Sequence, residues 1–276
     1  MIRCSASVFA LAALTLAASP PVSAAVGAWG HGQKAQARLI ASGIDSTGRL
    51  SAAVEIVLPD SWRTYWRNPG GAGVPPLIDL SASRNIAEPV VDFPVPTRED
   101  EGDGLFDNVY RDRVVLPVSA AVPDPSKPAE LSLAMKLGVC DQVCVPDEVD
   151  ATLTIPAGER DPAAAAVIAA ARATVPGAPV PGTFALDKVA RAGGTDGHPV
   201  LSFEGVVPDA PGAQVFIEPP EGWAPYPPEL QPTTAGRTSY LVKFSRLGSP
   251  VPIAGASFRI TISSGGRAID QTIKLE

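Results

Sequence analysis

Cys140 and Cys144 lie four residues apart in the stretch Leu137-Gly138-Val139-Cys140-Asp141-Gln142-Val143-Cys144-Val145-Pro146. The third cysteine of the chain, Cys4, falls in an N-terminal leader. The pair are therefore the thiols that an exported product would keep. Two adjacent thiols can be joined and parted again, which is the chemistry of thiol–disulfide exchange. Asp141 stands between them, and Asp147 and Glu148 follow. Nearby carboxylates disfavour the thiolate, the species that attacks in exchange. The reduced pair is thus expected to react slowly with indiscriminate oxidants and to need a docked partner for fast transfer.

Spacing constrains the local fold. A disulfide needs Cα atoms about 4.4–6.8 Å apart, whereas four extended steps cover about 13 Å. The chain must reverse between the cysteines. A strand over 131–139 and a three-residue loop, Asp141-Gln142-Val143, would place the pair at the tip of a hairpin, where facing positions lie about 4.5–5.5 Å apart. Other uses stay open. As a structural staple, so short a loop contributes only about 2 kcal/mol, against about 4–5 for a hundred-residue loop. As a metal site, two thiolates make half a tetrahedral set, with no histidine or further cysteine nearby in sequence. As inert buried thiols, the pair would have to escape oxidation.

The compartment follows from the first 24 residues. Arg3 supplies a positive start, 8–18 is apolar but too short for a bilayer, and Val22-Ser23-Ala24 has the small-residue pattern of a cleavage site. Residues 1–24 are read as a signal peptide cut after Ala24 or Ala25. The longest later apolar run, 163–171, falls far short of the roughly 20 residues of a transmembrane helix, so no direct membrane insertion is expected. The exported chain should reach an oxidising compartment, where disulfides persist. The 276 residues carry a net charge of −7, and removal of Arg3 makes the balance more acidic, which argues against nucleic acid and anionic membrane as partners. Two histidines and two methionines do not suit a soft-metal store.

The elements that must hold the pair are β-type. Short apolar runs at 35–41, 50–58, 77–80, 90–93, 113–121, 131–139 and 151–155 recur between turn signals, and 30 prolines and 25 glycines punctuate them. That spacing predicts an antiparallel sandwich. Asp161-Pro162-Ala163 then opens an alanine-rich helix to Ala173, with Asp161 as N-cap and Pro162 at the first helical position. The segment 175–182, rich in Pro and Gly, reads as an extended linker that could hold two domains apart. Strand patterning resumes at 200–203, 214–218, 239–244, 257–262 and 268–275. The expected organisation is all-β: a redox sandwich over 25–158, a helix and linker over 159–182, and a second, smaller β-sandwich over 183–276.

Three segments carry a family resemblance. Gly138-Val139-Cys140-Asp141-Gln142-Val143-Cys144-Val145-Pro146-Asp147-Glu148, followed by a β run, resembles the active-site segment of the periplasmic N-terminal domain of the DsbD family. Val109-Tyr110-Arg111-Asp112-Arg113-Val114-Val115-Leu116-Pro117-Val118 is similar to that domain's Tyr-Arg-Asp-Arg strand. Asp60-Ser61-Trp62-Arg63-Thr64-Tyr65 falls where the family has an aromatic-rich segment. Thr64-Tyr65-Trp66-Arg67-Asn68-Pro69-Gly70-Gly71-Ala72-Gly73 looks closer to the ScsB-like branch. Together they cover about 35–156, and the second half resembles the extra β domain of ScsB-like proteins without a sharp motif.

The resemblance implies an immunoglobulin-like sandwich in which Cys140 and Cys144 relay reducing equivalents, with no bound cofactor and no metal, as part of a protein-disulfide reductase system in the periplasm. It implies thioredoxin-like periplasmic proteins or domains as partners, among them disulfide isomerases and thioredoxins of cytochrome c maturation. Family members continue into membrane helices and a thioredoxin-like domain; either separate proteins, among them a membrane electron-transfer protein, would supply those parts here, or the chain would be a lone module serving other partners. It also implies a cap loop over the cysteines, matched here by 98–107 with Leu105 and Phe106, although Phe106 could equally begin a strand and point inward. Trp62, Tyr65, Tyr110 and Asp141 are placed in the active-site neighbourhood. Arg63 stands where another aromatic is expected, and Trp62 and Trp66 also suit core packing. Copper tolerance, associated with the ScsB-like branch, would connect only indirectly, through repair of oxidised thiols. The competing functional class is a non-catalytic binding or scaffold module with a structural disulfide.

Overall fold

The computed structural model describes residues 25–71, 73–102, 104–248 and 251–276; the expected signal peptide and Cys4 lie outside them. The first unit contains β1 (Gly30–His31), β2 (Gln36–Ile44), β3 (Arg49–Val57), β4 (Arg63–Gly70), β5 (Leu77–Asp79) and β6 (Ala87–Val91). It continues with β7 (Thr97–Gly102), β8 (Leu105–Arg111), β9 (Arg113–Ala121), β10 (Ala129–Cys140) and β11 (Cys144–Ile155). One sheet runs β1-β2-β3-β9-β6, and the other runs β11-β10-β4-β8-β7 with β5 on β10. Strand pairing is antiparallel throughout these two sheets, as expected of an immunoglobulin-like sandwich.

Alternation explains the layering. Along β10 the residues Leu131, Leu133, Met135, Leu137 and Val139 are buried and meet Leu39, Val54, Ile56, Leu116 and Val118 of the facing sheet. Their neighbours in β10 turn to the outer face, as strand pleating requires. The outer face of the first sheet is covered by α1 (Pro162–Arg172), through Ala164, Ile168 and Ala171 against Ile40, Ala53 and Val115. The Asp161 carboxylate caps this helix by accepting the Ala164 amide at 2.9 Å, as its sequence predicts.

The second unit has β12 (Ala185–Gly194), β13 (Pro199–Val206), β14 (Gln214–Glu218), β15 (Trp223–Pro225), β16 (Glu229–Leu230), β17 (Thr238–Arg246), β18 (Ser257–Ser264) and β19 (Arg267–Lys274). Its sheets, β12-β13-β17-β15 with β16 on β17, and β14-β18-β19, enclose Phe203, Phe244 and Phe258 in mutual contact.

The two units are not held apart. The Pro/Gly segment lies along the second unit, with Gly177 exchanging hydrogen bonds with Ala268 and Asp270. Phe216 of β14 inserts into the core of the first unit beside Trp66. Arg67 donates to Glu218 at 2.7 Å, Asp270 at 2.8 Å and the Thr261 hydroxyl at 3.0 Å. Arg98 donates to the Val215 carbonyl at 2.6 Å and stacks on Phe216. Composition predicts an extended linker, but it carries no information about the surfaces on either side of it.

Candidate functional site

The hairpin β10–β11 pairs Cys140 directly with Cys144, and Asp141, Gln142 and Val143 form the loop between them. The two sulfurs are joined as a disulfide. Both cysteines fall on the outer-facing phase of their strands, yet their surroundings differ. Cys140 is 1 % exposed, whereas Cys144 lies open to solvent. Val143 and Asp141 in the loop are exposed as well.

Strand register places β4 beside the pair. Cys140 faces Arg63, and Arg63 faces Arg111 on β8, so Cys144, Cys140, Arg63 and Arg111 form one row across four strands. One pleat further along, Tyr65 packs with Val109 and Cys140 in a small buried cluster. The Tyr65 hydroxyl donates to the Cys140 sulfur at 2.9 Å and lies 3.7 Å from the Cys144 sulfur. Burial chiefly, and then the charge of Asp107, push the Tyr65 phenol up, while the Arg63 guanidinium opposes them. The phenol therefore remains a hydrogen-bond donor at neutral pH.

Gly73 is required by this arrangement. A Cβ at position 73 would lie 2.2 Å from the Tyr65 ring, so only glycine lets the chain pass over it. The same segment brings Val74 and Pro75 to the disulfide. With Tyr65, Leu77, Gly138, Val145 and the cysteines they line a hollow of about 310 Å³, rimmed by Lys136 and Glu148. Val74 and Leu77 are exposed apolar side chains beside the open sulfur.

Arg63 lies among carboxylates, 2.9 Å from Glu101, 3.3 Å from Glu99 and 3.8 Å from Asp107. Burial would lower its pKa, but the charge and hydrogen bond of Glu101 outweigh this and raise it. Arg111 also binds Glu99, at 2.5 Å. Asp147 is directed elsewhere. Its carboxylate points inward and accepts the amides of Gln33, Lys34 and Ala35 at 2.6, 2.8 and 2.7 Å. Sequence proximity places Asp147 beside the thiols; strand alternation turns it to the opposite face.

Residues 33–156 match the family profile described as "Thiol:disulfide interchange protein DsbD, N-terminal". This segment is a DsbD-type N-terminal domain. The match spans the disulfide, β4 with Tyr65, and the β7–β8 hairpin, so the first unit is a thiol–disulfide interchange module by family. The whole fold is similar to the crystal structure of the N-terminal periplasmic domain of ScsB from Proteus mirabilis, with a TM-score of 0.68 and 23% identity over 91% of this chain and 98% of that one. The likeness in fold therefore extends through the second unit. No curated protein matches the chain.

Within the DsbD-type domain, the residues expected around the cysteines divide. Tyr65 and Asp141 lie at the pair. Tyr110 does not: it is one residue out of phase with Val109, faces the core and donates to the Pro94 carbonyl at 2.6 Å. Trp62 packs against the same core under the Lys34 ammonium. The expected cap is also displaced. Leu105 and Phe106 open β8 and line a cavity of about 250 Å³ with Tyr226, Pro227 and Leu247 of the second unit. Val74, Pro75 and Leu77 border the disulfide instead. Register across the sheet, rather than nearness in sequence, selects the neighbours, so Arg63, Gly73 and Val109 emerge only with the strand pairing. The one sequence signal for Arg63 is that a cation stands in an otherwise aromatic segment.

Among the described residues there is no cluster of three or more His, Cys, Asp or Glu side chains placed to hold a metal ion. No helix among them is long and apolar enough to cross a membrane.

Proposed function

We propose that the protein is a periplasmic thiol–disulfide interchange module that relays reducing equivalents between thioredoxin-like partners through Cys140 and Cys144. The observation that carries this reading is the asymmetry of the pair: an open Cys144 sulfur joined to a buried Cys140 sulfur that already receives a hydrogen bond. A staple has no need of such a difference, whereas an exchanging pair uses it to fix which sulfur is attacked.

In the reductive half, a partner thiolate attacks the Cys144 sulfur. The Cys140–Cys144 bond breaks with its electron pair on Cys140, and a mixed disulfide joins Cys144 to the partner. A second partner thiolate attacks the partner's own sulfur in that bond, expelling Cys144 as a thiolate and leaving the partner oxidised by two electrons. Delivery to an acceptor disulfide runs in the opposite sense. Cys144 attacks, and Cys140 then resolves the mixed disulfide. The apolar hollow of Val74, Pro75, Leu77 and Val145 would seat the residues flanking the partner's cysteine. The family character of residues 33–156 and the leader over 1–24 support the class of reaction and the compartment. In this reading the second unit braces the β7–β8 hairpin.

The test is a single-cysteine trap. Cys140→Ser should accumulate a mixed disulfide with an oxidised thioredoxin-like protein, and Cys144→Ser should accumulate far less. A reduction potential in the range of about −180 to −270 mV would agree. Equal trapping by both variants, or a potential well below about −300 mV, would make the bond a structural one.

A further inference from the structure

The Arg63 Nε–H is buried and has no acceptor. A buried donor left unsatisfied costs on the order of 1–3 kcal/mol, which calls for an explanation. Its position supplies one. Arg63 is the cross-strand partner of Cys140, and side chains so paired have Cβ atoms about 4.5–5.5 Å apart. The Cys140 sulfur is a weak acceptor in the disulfide and becomes an anion when that bond is cleaved. An orphan cationic donor beside it has a partner that arrives with the reaction.

We propose that Arg63 is the positioning residue that prepares Cys140 to leave as a thiolate, by holding the Tyr65 hydroxyl on its sulfur and by screening it from the carboxylates of the β7–β8 hairpin. This rests on the interchange reading above and names the group that makes the buried sulfur the leaving one. The charges around Cys140 make the role specific. Glu99, Glu101 and Asp107 reach Arg63 from β7 and β8, and Arg111 neutralises part of Glu99. Lys136 and Glu148, paired at 2.9 Å, face the hollow from β10 and β11, and Asp141 lies in the loop. Without Arg63, three carboxylates would stand against one remaining arginine on that side of the sulfur. An opposite charge within about 4–6 Å favours a thiolate and a like charge disfavours it.

When a partner thiolate attacks Cys144, the electron pair of the broken bond settles on Cys140. The Tyr65 O–H and the Arg63 Nε–H then provide a neutral and a cationic donor for it. The same two donors serve the delivery direction, in which Cys144 has attacked an acceptor disulfide and Cys140, held as a thiolate, attacks the mixed disulfide at Cys144 and releases the reduced acceptor. Arg63 contacts no atom of the incoming partner in this scheme; its effect is on the charge that the Cys140 sulfur carries.

The test follows the Cys140 thiol in full-length protein carrying Cys4→Ser and Cys144→Ser, by ultraviolet thiolate absorbance against pH, with no partner present. Arg63→Met should raise its pKa by about one unit or more, Arg63→Lys should restore most of the shift, and Glu101→Gln should move it down. Glu101 is exposed, so that variant remains informative if Arg63→Met fails to fold. Opposite shifts are a result that a merely structural role would not give. A Cys140 pKa unmoved in both Arg63→Met and Glu101→Gln would overturn the proposal, as would a fall in Arg63→Met. Because chemically reduced protein is titrated, this result is independent of whether Cys144 traps a partner, and failure of the trap would leave the titration interpretable.

Discussion

Trp66 and Phe216 meet across the boundary of the two units, their ring centroids 5.4 Å apart and their planes tilted by 58°. Phe216 belongs by sequence to the second unit and by burial to the core of the first. Truncating a buried Phe costs about 3–5 kcal/mol, and here the loss falls on the joint. Phe216→Ala should therefore split a single thermal transition into two, read by differential scanning calorimetry. An unchanged single transition at lower temperature would mean that Arg67 and Arg98 suffice to couple the units.

The Tyr65 hydroxyl is the other contact with a direct consequence. Hydrogen bonds to a charged group contribute about 1.5–3 kcal/mol, so Tyr65→Phe should slow reduction of the disulfide by a reduced thioredoxin-like protein by about tenfold or more, with little change in stability. Gly73→Ala should slow the same step by forcing the Tyr65 ring aside. Stopped-flow reduction of the two variants is the measurement.

Asp147 is expected to matter for structure rather than redox chemistry. Its carboxylate holds three successive amides, of which that of Ala35 is buried, so Asp147→Ala leaves that donor without a partner and frees the other two to solvent, at a cost of about 1–3 kcal/mol. Hydrogen exchange at the Lys34 and Ala35 amides should quicken most. Gly32→Ala should have the same effect, because its Cβ would lie 2.1 Å from an Asp147 oxygen.

Glu55 gives the first unit an acid limit. Burial alone would raise its pKa, but hydrogen bonds from Arg113 and Arg38 outweigh it and hold the carboxyl below its ordinary range. The unfolded chain thus binds this proton more tightly. The contribution is complete above the unfolded carboxylate pKa of about 4.3 and is lost as pH falls through the lower folded value. Glu55→Gln should cost about 2 kcal/mol at neutral pH, and the gap from wild type should close in acid. Urea midpoints across that pH range would measure it.

The parts of the fold that were legible in the sequence are those with apolar alternation. Strands anticipated at 50–58, 113–121 and 131–139 appear as Arg49–Val57, Arg113–Ala121 and Ala129–Cys140, and the helix with its Asp161 cap appears at Pro162–Arg172. The hairpin loop Asp141-Gln142-Val143 follows from the reach of a disulfide. The strands that complete the site were illegible for a physical reason. Arg63–Gly70, Thr97–Gly102 and Leu105–Arg111 carry charges on the outer face and Gly or Pro at bulges and turns, so apolar periodicity is weak there. Tyr65 and Tyr110 look alike in sequence, and only the phase of their strands sends one to the sulfur and the other to the core.

In the proposed relay, the exposure of a single sulfur would govern timing. With Cys140 sealed beneath Tyr65, only Cys144 would be bonded to another protein, and to one at a time. A donor and an acceptor would have to take turns at the same surface, with the module carrying the electron pair in the interval between them. Turnover of that kind is ping-pong, and an excess of either partner would compete with the other.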